Sequence, residues 1–377
     1  MNKNLPPLSL YIHIPWCIKK CFYCDFNTYL VKLNISYQEY VRHLLIDLEK
    51  NIYLSYGRTI KTLFIGGGTP SLLNLCALQQ LLDGIYQRLP IASNIETTIE
   101  VNPGTIEEKD LINYLQAGVN RLSIGVQSFN LKKLTSLGRI HGPEDANNAA
   151  LLASTIGLHN FNLDLMHGLP KQTLHEALED LQQAISLMPA HISWYQLEIE
   201  PKTIFGYYPP VLPDDDLLWD IYQNGHQLLI ASGYQQYEIS AYSHTGYECF
   251  HNLNYWRFGD YLGIGSGAHS KITKPDGKVL RIVKTSNPRR YMQGYYLDKL
   301  YQVSLRDLPF EYFMNRFRLL EAVPRKEFTK FTNLAESTVR LALDKALTLG
   351  YISESNEYWQ VTSQGKLYLN LLLELFL

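Results

Sequence analysis

The sequence predicts an α/β protein in three stretches: a parallel sheet with helical crossovers over 1–200, a linking stretch over 201–303, and a helical, winged-helix-like module over 304–377. Three observations carry that reading. Short β-rich runs alternate with segments of helical spacing through the first stretch, which calls for parallel strands joined by helices. The residues able to do chemistry sit just after those runs, at the C-terminal strand ends where barrels and open α/β sheets alike build their sites. The last stretch reads as helices, then a short hairpin, then a further helix. Alternation alone leaves a doubly wound open sheet and a full or partial barrel equally open.

Taken in order, the strands are LSLYIHI (8–14), KTLFIG (61–66), ETTIEVN (96–102), RLSIGVQ (121–127), FNLDLMH (161–167) and HISWYQLEI (191–199). Helical spacing falls at 36–55, 72–88, 107–117, 144–157 and 172–187. Thr105 and Pro143 read as helix starts, and Gly118 and Gly157 as helix stops. The stretch after 201 is less regular, rich in Tyr, Gly and Pro, and contains CFHNLNYWRFGDYLGIGSGAHS. Near the end, YISESNEYWQVT has the pattern of a wing. The helix before it, ESTVRLALDKALTLGY, carries only Arg340 and Lys345 as cations. A docking or capping role suits it better than reading DNA, which needs a basic face. The terminal LYLNLLLELFL is too short to span a bilayer and reads as a helix docked on a core.

Composition sets the class. A formal net charge of −2 gives no whole-chain signature of a nucleic-acid binder, and 46% hydrophobic with 19% charged residues is ordinary for a soluble globular protein. The opening MNKNLPPLSLYIHI lacks the long apolar run of a secretory leader. Of five cysteines, three are clustered, while Cys76 and Cys249 lie far apart in sequence. An odd, clustered set argues against a disulfide framework and for a reducing, cytoplasmic setting.

The clustered cysteines are Cys17, Cys21 and Cys24, in YIHIPWCIKKCFYCDF. Three soft thiolates on one short loop make a metal nest one ligand short. Iron–sulfur clusters usually take four thiolates, so three leave one iron open. The alternative is a zinc knuckle completed by His13 or Asp25. After the second strand comes GGGTPS (66–71), where glycines allow close backbone approach to a ligand. Glu100, Gln127 and Asp164 follow at or near later strand ends, and Arg139 could hold a carboxylate as a fork.

This cysteine loop resembles the signature of the radical S-adenosylmethionine (SAM) superfamily. The resemblance implies a 4Fe–4S cluster on Cys17, Cys21 and Cys24. Its open iron is chelated by the amine and carboxylate of SAM, which one electron cleaves to an adenosyl radical. It also implies a partial (β/α)6, TIM-like barrel with the cluster at its open mouth. GGGTPS resembles the superfamily's glycine motif, which makes Gly67, Gly68 and Thr69 SAM contacts. Tyr11, Tyr23, Glu100, Gln127, Arg139 and Asp164 match, in order and spacing, the SAM set of the oxygen-independent coproporphyrinogen III oxidase family. That likeness runs through nearly the whole chain.

Within the family, two features separate branches. The decarboxylating enzymes resemble C-x3-C-x2-C-x-C, and here the last position is Phe26. HNLNYW (251–256), together with His167 in DLMHGLP, looks like the HemW-type heme-chaperone group. That likeness implies heme contacts at His251, Tyr255 and Trp256, with Cys249 a weaker one. It further implies as partners heme, an acceptor protein for heme and an electron donor, with no nucleic acid and no stable membrane insertion. The alternatives are oxidative decarboxylation of coproporphyrinogen III and radical chemistry on another substrate.

Overall fold

The computed structural model describes residues 5–31 and 35–377. Its core is six parallel strands in sequence order: β1 (Leu8–Ile14), β2 (Ile60–Gly67), β3 (Ile91–Val101), β4 (Arg121–Gln127), β5 (Phe161–His167) and β6 (His191–Gln196). Five helices cross between them on the outside: α1 (Tyr37–Asn51), α2 (Leu75–Tyr86), α3 (Glu108–Gln116), α5 (Pro143–Thr155) and α6 (Leu174–Ser186). A short α4 (Leu131–Leu137) precedes α5.

The strands show a strict division of labour. Along β1 the sequence reads apolar–polar by turns, and the same holds for RLSIGVQ, FNLDL and HISWY. Successive side chains of a strand face opposite ways. Leu10, Ile12, Leu63, Ile99, Leu122, Ile124, Leu163 and Ile192 all join the main core. The alternate set, including Tyr11, Glu100, Arg121, Ser123, Asn162, Asp164 and Ser193, lines a chamber inside the barrel.

The sheet is open and longer than the six strands expected. α7 (Ile204–Tyr207) and α8 (Asp215–Ala231) lead to β7 (Gln235–Glu238) and β8 (Ala241–Ser243), which pair antiparallel with each other; β8 also pairs antiparallel with β6. α9 (Phe250–Trp256) follows. Then β9 (Asp260–Ile264) pairs parallel with β1 on its other side and becomes a seventh parallel strand. Its sequence, DYLGI before GSG, hides it behind glycines. β10 (His269–Thr273), β11 (Val279–Lys284) and β12 (Leu297–Gln302), with α10 (Pro288–Met292) before β12, extend that edge antiparallel.

Helix boundaries follow local chemistry, with one departure. Pro143 opens α5, and Gly118 and Gly157 take positive φ after α3 and α5, as read from the sequence. Thr105 does not start α3. Its hydroxyl donates to the Asn102 carbonyl, and Glu107 takes the N-cap instead, its N–H donating to Asp110.

The C-terminal module packs around a second core that includes Phe313, Phe328, Trp359 and Phe376. It comprises α11 (Leu308–Arg316), β13 (Val323–Pro324), α12 (Arg325–Thr332), α13 (Arg340–Thr348), the hairpin β14 (Ile352–Glu354) and β15 (Tyr358–Val361), then α14 (Ser363–Leu367) and α15 (Leu369–Glu374). Arg340 is held by Glu336, Asp344 and Glu354, so this helix has its first cation neutralised and offers no basic face for DNA. Leu372 and Phe376 dock the tail on this core. Among the described residues, no helix is long and apolar enough to cross a membrane.

A buried ion cluster fixes the seventh strand. Asp260, fully buried, receives Arg58 at 2.7 Å and Lys271 at 3.0 Å, and also accepts from the Thr273 hydroxyl at 2.8 Å. Breaking such a set strands uncompensated cations. Asp260→Ala is expected to destabilise the fold by about 3–5 kcal/mol, read by urea denaturation.

Candidate cofactor site

The cysteine loop leaves the C-terminal end of β1. Residues Trp16–Cys17 and Tyr29–Leu30 pair in parallel and close the loop at its base, with Val31 N–H donating to the Cys17 carbonyl at 2.9 Å. Phe22 and Tyr23 pack against Leu137, Met166, Leu169, Leu197 and Phe205, a small apolar cluster at the barrel mouth. Phe22 N–H donates to the Leu137 carbonyl, and Phe205 N–H to that of Phe22, both at 3.0 Å. Asn27 ties the loop to the far edge, its amide donating to Ser266 and Ser286 carbonyls at 3.0 Å.

The three cysteines are free thiols, Cys17 buried and the other two half-buried. Burial holds the Cys17 and Cys24 thiols above their usual range. A bound metal is what deprotonates such ligands. Arg139 stands over the loop, with Nη1 donating to Cys21 Sγ at 3.6 Å and Nη2 to the Gly125 carbonyl at 2.6 Å; its Nε is buried without a partner. His13 is not a spare ligand. Its Nδ1 meets the Tyr11 hydroxyl and its Nε2 the Asn27 carbonyl, each at 3.0 Å. Both ring nitrogens of His13 are thus engaged, which argues against a zinc knuckle completed by it; among the described residues, no three His, Cys, Asp or Glu side chains are gathered closely enough to hold a metal ion.

The glycine turn forms a close wall. A Cβ on Gly68 would lie 2.5 Å from the Trp16 carbonyl and 3.0 Å from Cys17 Sγ, and Gly67 has φ +118°. Gly67 N–H donates to Glu100 at 2.9 Å. Thr69 is buried beside them. Gln127 ends β4 in the left-handed region, φ +68°, where the register with β5 slips. Bulges of this kind re-aim a side chain. Its Oε1 accepts from the Tyr195 hydroxyl at 2.7 Å.

Below this wall is the chamber, about 270 Å³, where Tyr11, Glu100 and Asp164 meet His251 and Tyr255. Asp164 accepts from Asn162 at 2.8 Å and Ser123 at 3.1 Å, and burial raises its pKa. Burial pushes Glu100 up to about 8. α9 forms the floor. Glu96 caps it, accepting from Phe250 and His251 N–H at 3.0 and 2.8 Å, and His251 Nδ1 meets the Thr62 hydroxyl at 2.9 Å. Burial, then Arg121 nearby, pulls His251 down to about 3, so it is neutral. Its Nε2 has no hydrogen-bond partner among the described residues.

Not every residue expected at a site comes to this one. Trp256 stacks under the Arg318 guanidinium, 4.5 Å away, against the C-terminal module. Cys249 sits buried beside Glu96. His167 packs at a tilt against Trp194, a main-core residue, with ring centroids 4.3 Å apart. Phe26 stands 60% exposed on the cysteine loop, and Tyr23 is half-buried there. Tyr195, Asn27 and Arg121 went unnoticed in the sequence. The alternation along β4 and β6 was the signal for Arg121 and Tyr195, since both share a face with Gln127 or Ser193.

The radical SAM superfamily model matches residues 11–184, and the HemN C-terminal domain model residues 303–368. The chain is 62% identical over 374 residues to the heme chaperone HemW of Escherichia coli K12, and 55% identical over 378 residues to that of Haemophilus influenzae. Each alignment covers 99% of both chains.

The chain belongs to the HemW family.

HemW of Bacillus subtilis is 34% identical over 95% of this chain and 96% of its own. Among solved structures, the E. coli coproporphyrinogen III oxidase HemN, a radical SAM enzyme, superposes with a TM-score of 0.84 at 25% identity. It covers all of this chain and 91% of HemN. The family thus bears out the partial-barrel class and the C-terminal module read from the sequence.

Glu100 supplies a pH signature for the protein without bound cofactors. Its folded pKa, about 8, is raised above the ordinary value of 4.5. Its contribution to stability is therefore complete below the unfolded pKa and is lost as pH rises through about 8. Glu100→Gln is expected to flatten the fall in unfolding free energy that the wild type shows between these limits, measured by denaturation at stepped pH. Parallel curves for the two proteins contradict the assignment.

Proposed function

We propose that this protein is a heme chaperone: it binds heme, passes it to an acceptor protein, and carries a 4Fe–4S cluster on Cys17, Cys21 and Cys24 with SAM on the open iron. The observation that carries the reading is near-complete coverage at 62% identity by a protein named heme chaperone HemW. Phe26 supports the same branch, since the position of a fourth loop cysteine holds an exposed phenyl ring that cannot ligate iron.

In this reading Gly67, Gly68, Thr69, Glu100, Tyr11, Gln127, Arg139, Asp164 and Tyr23 are the residues that would hold SAM. The cluster, when bound, supplies one electron from a donor protein. The chain's own residues position SAM and keep water from it.

His251 is the proposed axial contact to heme. A neutral imidazole whose Nδ1 is held by Thr62 presents Nε2 for ligation, the usual arrangement of a histidine ligand. A porphyrin macrocycle is larger than the 270 Å³ chamber, so the chamber as it stands takes only part of one. α9 is pinned from outside by the C-terminal module, through Arg257–Glu321 at 2.6 Å and Arg318 over Trp256. That contact is where we place control of heme entry and release, with Tyr255 and Trp256 as its aromatic surface.

One paired experiment separates the readings. Cluster-reconstituted protein is titrated with heme, and the same preparation is assayed anaerobically with coproporphyrinogen III, SAM and a reductant. Stoichiometric heme binding, weakened in His251→Ala, with no protoporphyrinogen formed is the expected result. Sustained protoporphyrinogen formation points instead to the decarboxylase.

A further inference from the structure

We propose that Arg121 makes the inner end of the chamber a carboxylate-binding site. Arg121 opens β4 and is 2% exposed, yet it lines the chamber. Among the described residues its side chain makes no hydrogen bond and no ion pair, and its Nε is buried without a partner. Other buried cations of this fold are matched: Lys284 meets Asp47 at 2.6 Å, Lys271 meets Asp260 at 3.0 Å, and Arg316 meets Glu321 and Glu327. A buried guanidinium with free donors is costly to keep unless something accepts from it.

The carboxylates around it are already engaged. Glu96 spends its oxygens on the α9 backbone, and Asp164 accepts from Asn162 and Ser123. Arg121 lines a space it shares with Ser193, Asn252, Tyr255 and the Phe64 ring, and also with the buried Glu100 and Asp164. The guanidinium fork matches a carboxylate through two parallel N–H bonds. Burial raises both Glu100 and Asp164 and so disfavours their charged forms; with the neutral polar groups and one aromatic wall, the lining then suits a carboxylate on a short carbon stem held by Arg121. At about 270 Å³ the chamber takes a small molecule whole, or only the arm of a larger one.

Two sources share this chemistry: a free small carboxylic acid, and a propionate arm of a porphyrin. The second rests on the heme-chaperone reading; the first does not. Cluster-reconstituted full-length protein is titrated by calorimetry with sodium propionate, with heme and with heme dimethyl ester, as wild type and as Arg121→Gln. Arg121→Lys, which keeps the charge without the fork, replaces the glutamine variant if circular dichroism shows that one unfolded.

Saturable propionate binding that weakens about ten-fold or more on substitution assigns a free acid. No propionate binding, but heme held about ten-fold tighter than its ester with that preference lost on substitution, assigns the porphyrin arm. Equal affinity for heme and ester together with no propionate binding overturns the proposal and leaves the heme reading standing. So does any propionate binding or heme preference that substitution leaves unchanged. Arg121-dependent propionate binding without heme binding sinks the heme reading alone.

Discussion

The structure depends on one constraint: the parallel strands send apolar side chains to the helices and, apart from the Phe64 ring, mainly polar ones into the chamber. In LSLYIHI, RLSIGVQ and FNLDLMH the alternation is almost unbroken. Parallel strands covered on both faces ordinarily read as continuous apolar runs, and small barrels fill their interior with layered branched side chains. This one cannot, because Glu100, Arg121, Asn162 and Asp164 occupy the positions such layers would need. The lumen stays a polar chamber, and the outer helices carry the burial that stabilises the sheet.

A polar lumen has to be closed at both ends without collapsing. At the mouth, the cysteine loop is fastened by Phe22 and Tyr23 on a small apolar cluster and by Asn27 on the far edge of the sheet. At the floor, α9 is fastened by Glu96 from inside and by the C-terminal module from outside. Three of the residues that resemble a SAM site, Tyr11, Glu100 and Asp164, thus share one space with His251, Asn252 and Tyr255 of the HNLNYW motif, with the Tyr11 and His251 rings 6.4 Å apart.

Much of this is legible in the amino-acid sequence alone. The six core strands, five crossover helices, wing and docked tail follow from periodicity and turn chemistry, and the cysteine spacing locates the mouth. What was hidden had physical causes. β9 is glycine-flanked and lies far along the chain, so only its parallel pairing with β1 reveals it as barrel. Arg121 and Tyr195 read as ordinary strand residues until their neighbours are known. HNLNYW was recognisable as a motif, but nothing in six residues tells that His251 turns inward while Trp256 turns to the C-terminal module.

The central claim is that the mouth and the floor bound one chamber, so a ligand at one end is felt at the other. Binding free energies are then linked, and the effect is reciprocal. The direct measurement is the heme dissociation constant of the cluster-loaded protein with and without saturating SAM. A shift of about five-fold or more, matched by an equal shift in SAM affinity when heme is present, is the predicted result. Identical constants in both directions contradict a shared chamber.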